Sequence, residues 1–392
     1  MFKKIKIALV VSHPIQHFCP QYVSFAKNTT IEFKVFFASA LGLKKYYDEN
    51  FRKEISWSNL QLDQFDHIFL NGETTASADK NIDAASLDKE LALFKPDIII
   101  TYGYFQKLQR RAYHWAIKNK VKLAYISDSE LRQTRNKWKG LIKAVYLKRY
   151  FSRISYFLTV GNANETFYKK HGVSDAKMKR MHFPIDQAMY QKSWIDKADL
   201  RTTIRDQYAL SESDIVLATV GKLVPWKNQD HIIAAMQQLE NEGCIMSLLV
   251  LGSGEMREQW EKKASALKKS KVHFCGFVAI ENLPAYYAAT DIYVHPASVE
   301  PHSIAISEAI YMGCPVIISD RCGSYGISDD VQEGKNGFVY PFGKINELSM
   351  VIKALAGNKE KRLAFGSFAH NIAVDFQVCS HQKIIGELIK VV

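Results

Sequence analysis

Several features that would place this sequence quickly are absent from it. No run of about twenty apolar residues occurs, so no membrane-spanning helix is expected. The six cysteines are scattered, and none stands in a Cys-x-x-Cys pair, which argues against a structural zinc site or a redox motif. Their isolation fits small buried residues in a reducing cytoplasm. The opening MFKKIKIALVVSHP is apolar only from Ile7 to Val11 and has no small-residue cleavage site. It reads as a buried first strand, not a signal peptide. There are no internal repeats or low-complexity segments, no Gly-x4-Gly-Lys-Ser/Thr loop and no Asp-x-Asp metal motif. Helix-turn-helix, zinc-finger and RNP signatures are missing too, which weakens a nucleic-acid-binding reading of a basic, aromatic-rich chain. Acidic residues are in deficit, 40 against 52 Lys and Arg, a net charge of +12 that favours anionic partners such as phosphates or an acidic membrane surface.

What is present is a globular chain of 392 residues, 47% hydrophobic and 23% charged, long enough for two domains. Short apolar runs alternate with amphipathic stretches. The first set is KIKIALVV (4–11), IEFKVFFAS (31–39), PDIIITYG (96–103), KLAYIS (122–127) and YFLTVG (156–161). The second is DIVLATVG (214–221), MSLLVLG (246–252), VHFCGFV (272–278), DIYVHP (291–296) and PVIISD (315–320). Near-continuous apolar strands alternating with helices predict parallel sheets covered on both faces, hence two doubly wound α/β domains. A polar, strand-free stretch at 185–205 marks the break. The expected division is 1–195, 196–375 and a closing helix over 376–392 that packs back towards the first domain. Ligands of such domains bind outside the carboxyl ends of the strands, in the cleft between them.

The segment SVEPHSIAISEAIYMGCPVIIS (298–319) reads as loop, helix and strand, with Gly313 and Pro315 ending the helix. Ser303 falls at the helix N-terminus, where free N–H groups and the dipole favour phosphate. Glu300 flanks that point from the loop, and Glu308 lies more than a turn along. Carboxylates in those places suit vicinal hydroxyls, so a phosphate between two hydroxyl-bearing groups points to a nucleotide sugar. The plain alternative is a surface helix with two solvated glutamates. Upstream, Gly221 ends a strand and Lys222 and Lys227 follow it. Two ammonium groups there can neutralise a diphosphate and stabilise a leaving group, or they are ordinary surface lysines. GSG at 252–254 reads as a tight turn after a strand.

GKLVPWKN, VLGSGEM, VHFCGFV and the Glu-x7-Glu segment together resemble the retaining glycosyltransferases of family 4, most specifically over 214–345. The resemblance implies a GT-B fold, two facing Rossmann-like domains with an inter-domain cleft. It implies that Lys222 and Lys227 hold the donor diphosphate, that Glu308 binds the nucleotide ribose and Glu300 the donor sugar, and that amides near Ser303, Ile304 and Ala305 cap the phosphates. The chain departs from the family pattern in having Lys222 where arginine is usual and Pro301-His302-Ser303 where a Gly-Phe-Gly-like triplet is usual. His302 thus adds a possible donor to the sugar or phosphate. No fixed nucleophile is implied, because retaining members are thought to use front-face attack assisted by the leaving phosphate. No metal and no cofactor beyond a UDP-sugar or GDP-sugar donor is expected.

In the first half, VSHPIQHFCPQY (11–22) resembles a His-Pro-Ile-Gln stretch in family members associated with bacterial surface polysaccharides, such as capsule or O-antigen. By that resemblance His13, Gln16 and His17 touch the acceptor or the donor phosphates; the alternative is a histidine capping local backbone. Asp128 ends a strand at the cleft and can orient or deprotonate an acceptor hydroxyl. Tyr102 and Tyr104 are placed near enough to stack on a sugar. The segment 135–153 carries seven basic residues and no acidic one, with Trp138, Leu141, Ile142 and Val145 at helical spacing. It is either a core-packing helix with a solvated basic face or a contact for an anionic membrane. The partners expected are a nucleotide sugar and a glycan acceptor, one form being polyprenyl-diphosphate-linked. The location expected is cytoplasmic, with peripheral attachment to the inner face of the membrane as the bolder version. A GT-B nucleotide-sugar epimerase is the competing enzyme reading.

Overall fold

The computed structural model describes residues 4–58, 60–76, 78–132 and 137–390, without the side chains of 137–139 and 378–382. The first unit runs β1 (Ile5–Val11), α1 (Cys19–Ala26), β2 (Ile31–Phe37), β3 (Tyr46–Asp48), β4 (Lys53–Ile55), β5 (Asp66–Phe69), α2 (Leu87–Phe94), β6 (Ile98–Tyr102), α3 (Lys107–Asn119), β7 (Lys122–Ile126), α4 (Lys137–Ser152), β8 (Tyr156–Thr159), α5 (Asn162–Lys170) and β9 (Met178–Arg180). The second runs α6 (Gln187–Ile195), α7 (Lys197–Gln207), β10 (Val216–Val220), α8 (Asp230–Asn241), β11 (Ser247–Leu251), α9 (Arg257–Ala264), β12 (Lys271–Gly276), α10 (Leu283–Ala289), β13 (Ile292–His295), α11 (Ile304–Tyr311), β14 (Val316–Ser319), β15 (Gly337–Tyr340) and α12 (Ile345–Ala356). A last helix, α13 (Lys359–Ile389), follows.

Two parallel sheets result, ordered β5-β2-β1-β6-β7-β8-β9 and β12-β11-β10-β13-β14-β15. Side chains alternate across a strand, and the sequence exploits this on both faces. Ile7, Leu9 and Val11 of β1 enter one core, while Ala8 and Val10 enter the core on the other side. In β10, Val216 and Ala218 face one core and Leu217 the other. All ten anticipated strands are present. The additions are β5, β9 and β15, which extend the sheets outward, and the antiparallel β3–β4 hairpin, whose polar composition gave no strand signal. Each sheet reverses its winding at its first strand, between β1 and β6 and between β10 and β13. Ligands of open α/β sheets bind at such switch points.

The stretch 185–205 is helical. Tyr190 of α6 is fully buried in the core that holds Ile306 and Ile310 of α11, so by packing α6 already belongs with the second sheet. The final helix serves both units: Phe365, Ala369 and Ala373 pack in the second, whereas Ile384, Ile385 and Leu388 lie in the core of the first.

Candidate active site

The loops at the two switch points face each other. Between them lies a cavity of about 280 Å³, lined by Gly221, Lys222, Lys227, Ser303, Ile304, Ala305 and Glu308 from one side and by Gln16, His17, Phe51 and Trp57 from the other. Larger hollows exist, about 820 Å³ between α1, α6 and α13 and about 570 Å³ beside α3. Neither gathers strand ends with charged groups. The smaller cavity does, and it is the candidate site.

Backbone geometry brings the two lysines there. Gly252 has φ +141° and approaches the loop after β10 so closely that a Cβ would lie 1.9 Å from the Gly221 carbonyl oxygen. Gly254, at φ +156°, would place one 2.4 Å from the Leu223 oxygen. The GSG turn thus seats one strand-end loop on the other, a contact only glycine permits. Lys227 pairs with Glu300. Lys222 pairs with Asp48 of the β3–β4 hairpin, Nζ lying 3.2 and 3.1 Å from the two carboxylate oxygens.

Glu300 is nearly buried and accepts from His295 Nε2 at 2.9 Å. Burial alone would raise its pKa, but the Lys227 charge and the His295 hydrogen bond hold it at about 2. Glu308 differs. Tyr287 donates to its Oε2 at 2.9 Å, and the residue is only 2% exposed. Burial pushes its carboxyl up to about 7, against the hydrogen bonds from Tyr287 and Tyr190. One glutamate is therefore a fixed anion. The other is poised near neutrality, able to accept or donate to a hydroxyl.

Ser303 caps α11, but its own N–H donates to Ser324 Oγ at 2.9 Å. The first-turn amides of Ile304 and Ala305, which have no acceptor within the helix, are left for an anion. His302 turns away from the cavity. Its Nε2 lies 3.3 Å from Asp329 Oδ1 and 3.8 Å from Asp330 Oδ2, and its ring meets Phe183 edge-on at 5.1 Å. Burial opposes its charge, yet the Asp329 hydrogen bond and the two carboxylates raise its pKa. Instead of lining the donor cavity, it is a buried imidazole at the domain junction, set against two carboxylates, because Asp329 and Asp330 come to it from further along the chain.

On the opposite wall, Gln16 and His17 line the cavity, while His13 sits against Ser12 Oγ at 2.9 Å. Burial lowers both histidines to about 4, so they are neutral at neutral pH. Asp128 is close enough to His302 and Glu300 for their charges to act on it, and burial raises its pKa. Tyr102 packs edge-on against Phe18, and Tyr104 against Tyr146 and Tyr150 of α4. Neither lines the cavity, so the sugar-stacking role expected of them is not where the structure puts them. The sequence reading missed Asp48, Phe51, Trp57, Phe277, His295, Tyr287 and Tyr190. Phe277 and His295 lay inside strand segments already singled out, and Tyr190 inside the stretch 185–205, but none was given a role.

Residues 201–371 match the family of group 1 glycosyl transferases. The chain is 28% identical, over 185 residues, to a GDP-mannose-dependent alpha-(1-6)-phosphatidylinositol monomannoside mannosyltransferase of Mycolicibacterium smegmatis, covering 45% of this chain and 47% of the relative. The chain thus spans about half the length of the curated relatives it matches. Over the whole chain, Anabaena HepE solved in complex with UDP superposes with a TM-score of 0.71 at 18% identity, covering 100% of both chains. A glycosyltransferase from Rickettsia africae gives 0.71 at 13%, covering 99% of this chain and 98% of that one. These likenesses establish the fold, which is GT-B.

Proposed function

We propose that the chain is a retaining glycosyltransferase that moves a sugar from a nucleoside diphosphate sugar to a glycan or lipid-linked acceptor. One observation carries the reading. Lys222, Lys227, the α11 N-terminus and the buried Glu308 converge on a single cavity at the switch point of the second sheet. Lys222 and Lys227 take the diphosphate with the amides of Ile304 and Ala305, Glu308 takes the ribose, and Glu300 faces the transferred sugar. The leaving phosphate accepts the proton of the attacking hydroxyl on the same face, with Asp128 orienting that hydroxyl. The anomeric configuration is then kept without a protein nucleophile.

The acceptor side carries the bolder part. Among the described residues no helix is long and apolar enough to cross a membrane. On α4, however, Leu141, Ile142 and Val145 are 63%, 76% and 68% exposed, while Leu147, Tyr150 and Phe151 fill the core. Trp138 lies outside the described side chains. An exposed apolar patch on a basic helix suits an anionic lipid surface, and with it a lipid-linked acceptor for surface polysaccharide. The Mycolicibacterium relative's name specifies a phosphatidylinositol mannoside.

The deciding experiment is a thermal-shift screen against UDP, GDP, CMP and their common sugar conjugates. A rise with one nucleoside diphosphate supports the donor site and names its base. No rise with any of them counts against it. Conversion of the donor sugar without acceptor would favour the epimerase instead.

A further inference from the structure

The β3–β4 hairpin belongs to the first sheet's domain, yet its tip lies against the second. Phe51 meets Phe277 edge-on with ring centroids 5.2 Å apart. Lys53 Nζ sits 5.4 Å above the same Phe277 ring. Arg52 reaches Glu255 at 3.4 Å, and Ser58 Oγ reaches Glu281 at 3.1 Å. At the centre is Asp48, 13% exposed in its side chain, paired through both oxygens with Lys222. The Phe51 ring lies 4.6 Å from the same ammonium. Asp48 Oδ1 also accepts from the amides of Asn50 and Phe51, at 2.9 and 3.0 Å, so it fixes the hairpin's own turn. One carboxylate therefore sets the shape of the hairpin and ties it to the donor cavity.

A carboxylate and a phosphate ask the same thing of an ammonium. Both are compact oxyanions, and Lys222 presents one charge on one flexible stem. Held through both oxygens by Asp48, it is already engaged. We propose that Asp48 masks the donor site's lysine: it competes for Lys222 with the donor's diphosphate, so that binding a diphosphate displaces Asp48 from the ammonium. This rests on the reading of Lys222 as a diphosphate ligand. The consequence follows from reach. A nucleoside diphosphate brings its second phosphate to Lys222 and exchanges for Asp48. A nucleoside monophosphate, shorter by one phosphate, does not reach the ammonium. The ion pair therefore weakens diphosphate binding by the cost of breaking it and leaves monophosphate binding as it is.

Asp48→Asn isolates this effect. The asparagine side-chain oxygen keeps the turn bonds to Asn50 and Phe51, and only the charge opposite Lys222 is lost. Calorimetric titration of UDP against UMP, and of GDP against GMP, is performed on the wild type, Asp48→Asn, Lys222→Ala and the double variant. The expected result is a gain of about fivefold in nucleoside diphosphate affinity in Asp48→Asn, the scale of one partly exposed ion pair. The monophosphate should be unchanged, and the gain should vanish in the Lys222→Ala background. Diphosphate binding that is unchanged or weaker in Asp48→Asn, while Lys222→Ala still loses affinity, overturns the competition and leaves the donor site standing. An equal gain for mono- and diphosphate also overturns it, because Asp48 would then govern access rather than the ammonium. Wild-type diphosphate affinity in Lys222→Ala, or no binding to the wild type, overturns the reading of Lys222 itself.

Discussion

The Asp329 carboxylate, carried by the second domain, accepts the backbone N–H of Asn162 at the first turn of α5 in the first domain, at 2.7 Å. Its other oxygen faces the buried imidazole of His302. Gly161 lies so close that a Cβ there would meet Asp329 Oδ2 at 2.5 Å. One side chain thus caps a helix of the neighbouring domain and holds a buried imidazole of its own. Removing it strips both of that partner. Asp329→Ala is expected to lower stability by about 2–4 kcal/mol, the range for breaking a buried, hydrogen-bonded charge pair. Asp329→Asn should cost less, since it keeps an acceptor for Asn162. Urea denaturation of the three proteins checks the order.

Glu308 predicts how stability changes with pH. Its carboxyl has a pKa of about 7 in the fold, against an ordinary 4.5, because burial disfavours the charge. The native state therefore holds this proton more tightly than the unfolded chain. The group's contribution is complete below about pH 4.5 and is lost as pH rises through 7, a change of order 3 kcal/mol. Glu308→Gln should flatten the loss between pH 5 and pH 8, seen in denaturation midpoints across that range. Glu308→Ala should abolish transfer while leaving the circular dichroism spectrum intact; full activity in that variant would refute the ribose assignment.

Lys227 is already engaged by Glu300, and Glu300 is kept ionised by it. Lys227→Ala should lower kcat/KM for the donor by roughly 100-fold or more, the scale of losing one preorganised charge at a departing phosphate. Lys227→Arg should recover part of it. Steady-state kinetics with a radiolabelled donor separates the two.

Gly252 tests the backbone argument. Alanine there must accommodate both a φ of +141° and a Cβ 1.9 Å from a carbonyl oxygen. A loss of about 2–4 kcal/mol is expected. A melting temperature within a degree of wild type would contradict the close approach of the two loops.

The exposed apolar residues of α4 give a lipid-binding test. Ile142→Ser with Val145→Ser should reduce co-sedimentation with phosphatidylglycerol vesicles and leave binding to phosphatidylcholine vesicles as it was. Equal binding by variant and parent would detach the helix from any membrane role.

Much of this site was legible because its parts are local. Strand, loop and helix from 214 to 319 set Lys222, Lys227, Ser303, Ile304, Ala305 and Glu308 within two crossovers of one sheet, and spacing alone orders them at the strand ends. What stayed hidden depends on pairing between distant segments. Asp48 meets Lys222 across 174 positions, in a hairpin with no apolar alternation to announce it. His302 read as a donor to substrate because no nearby residue showed that Asp329 and Asp330 would claim its Nε2. The helical spacing of α4 was evident, but spacing cannot say which stripe meets the core. Leu147, Tyr150 and Phe151 took that place and left Leu141, Ile142 and Val145 outside.

The long last helix has a consequence for synthesis. Ile384, Ile385 and Leu388 fill the core built on Ile7, Leu9 and Val11, and Glu387 pairs with Lys179 at 2.8 Å. A ribosome makes the first domain's strands long before it makes these side chains. Until they emerge, that domain carries an open apolar trough beside α1. The core of the domain translated first is therefore completed last, by side chains that follow the whole of the second sheet.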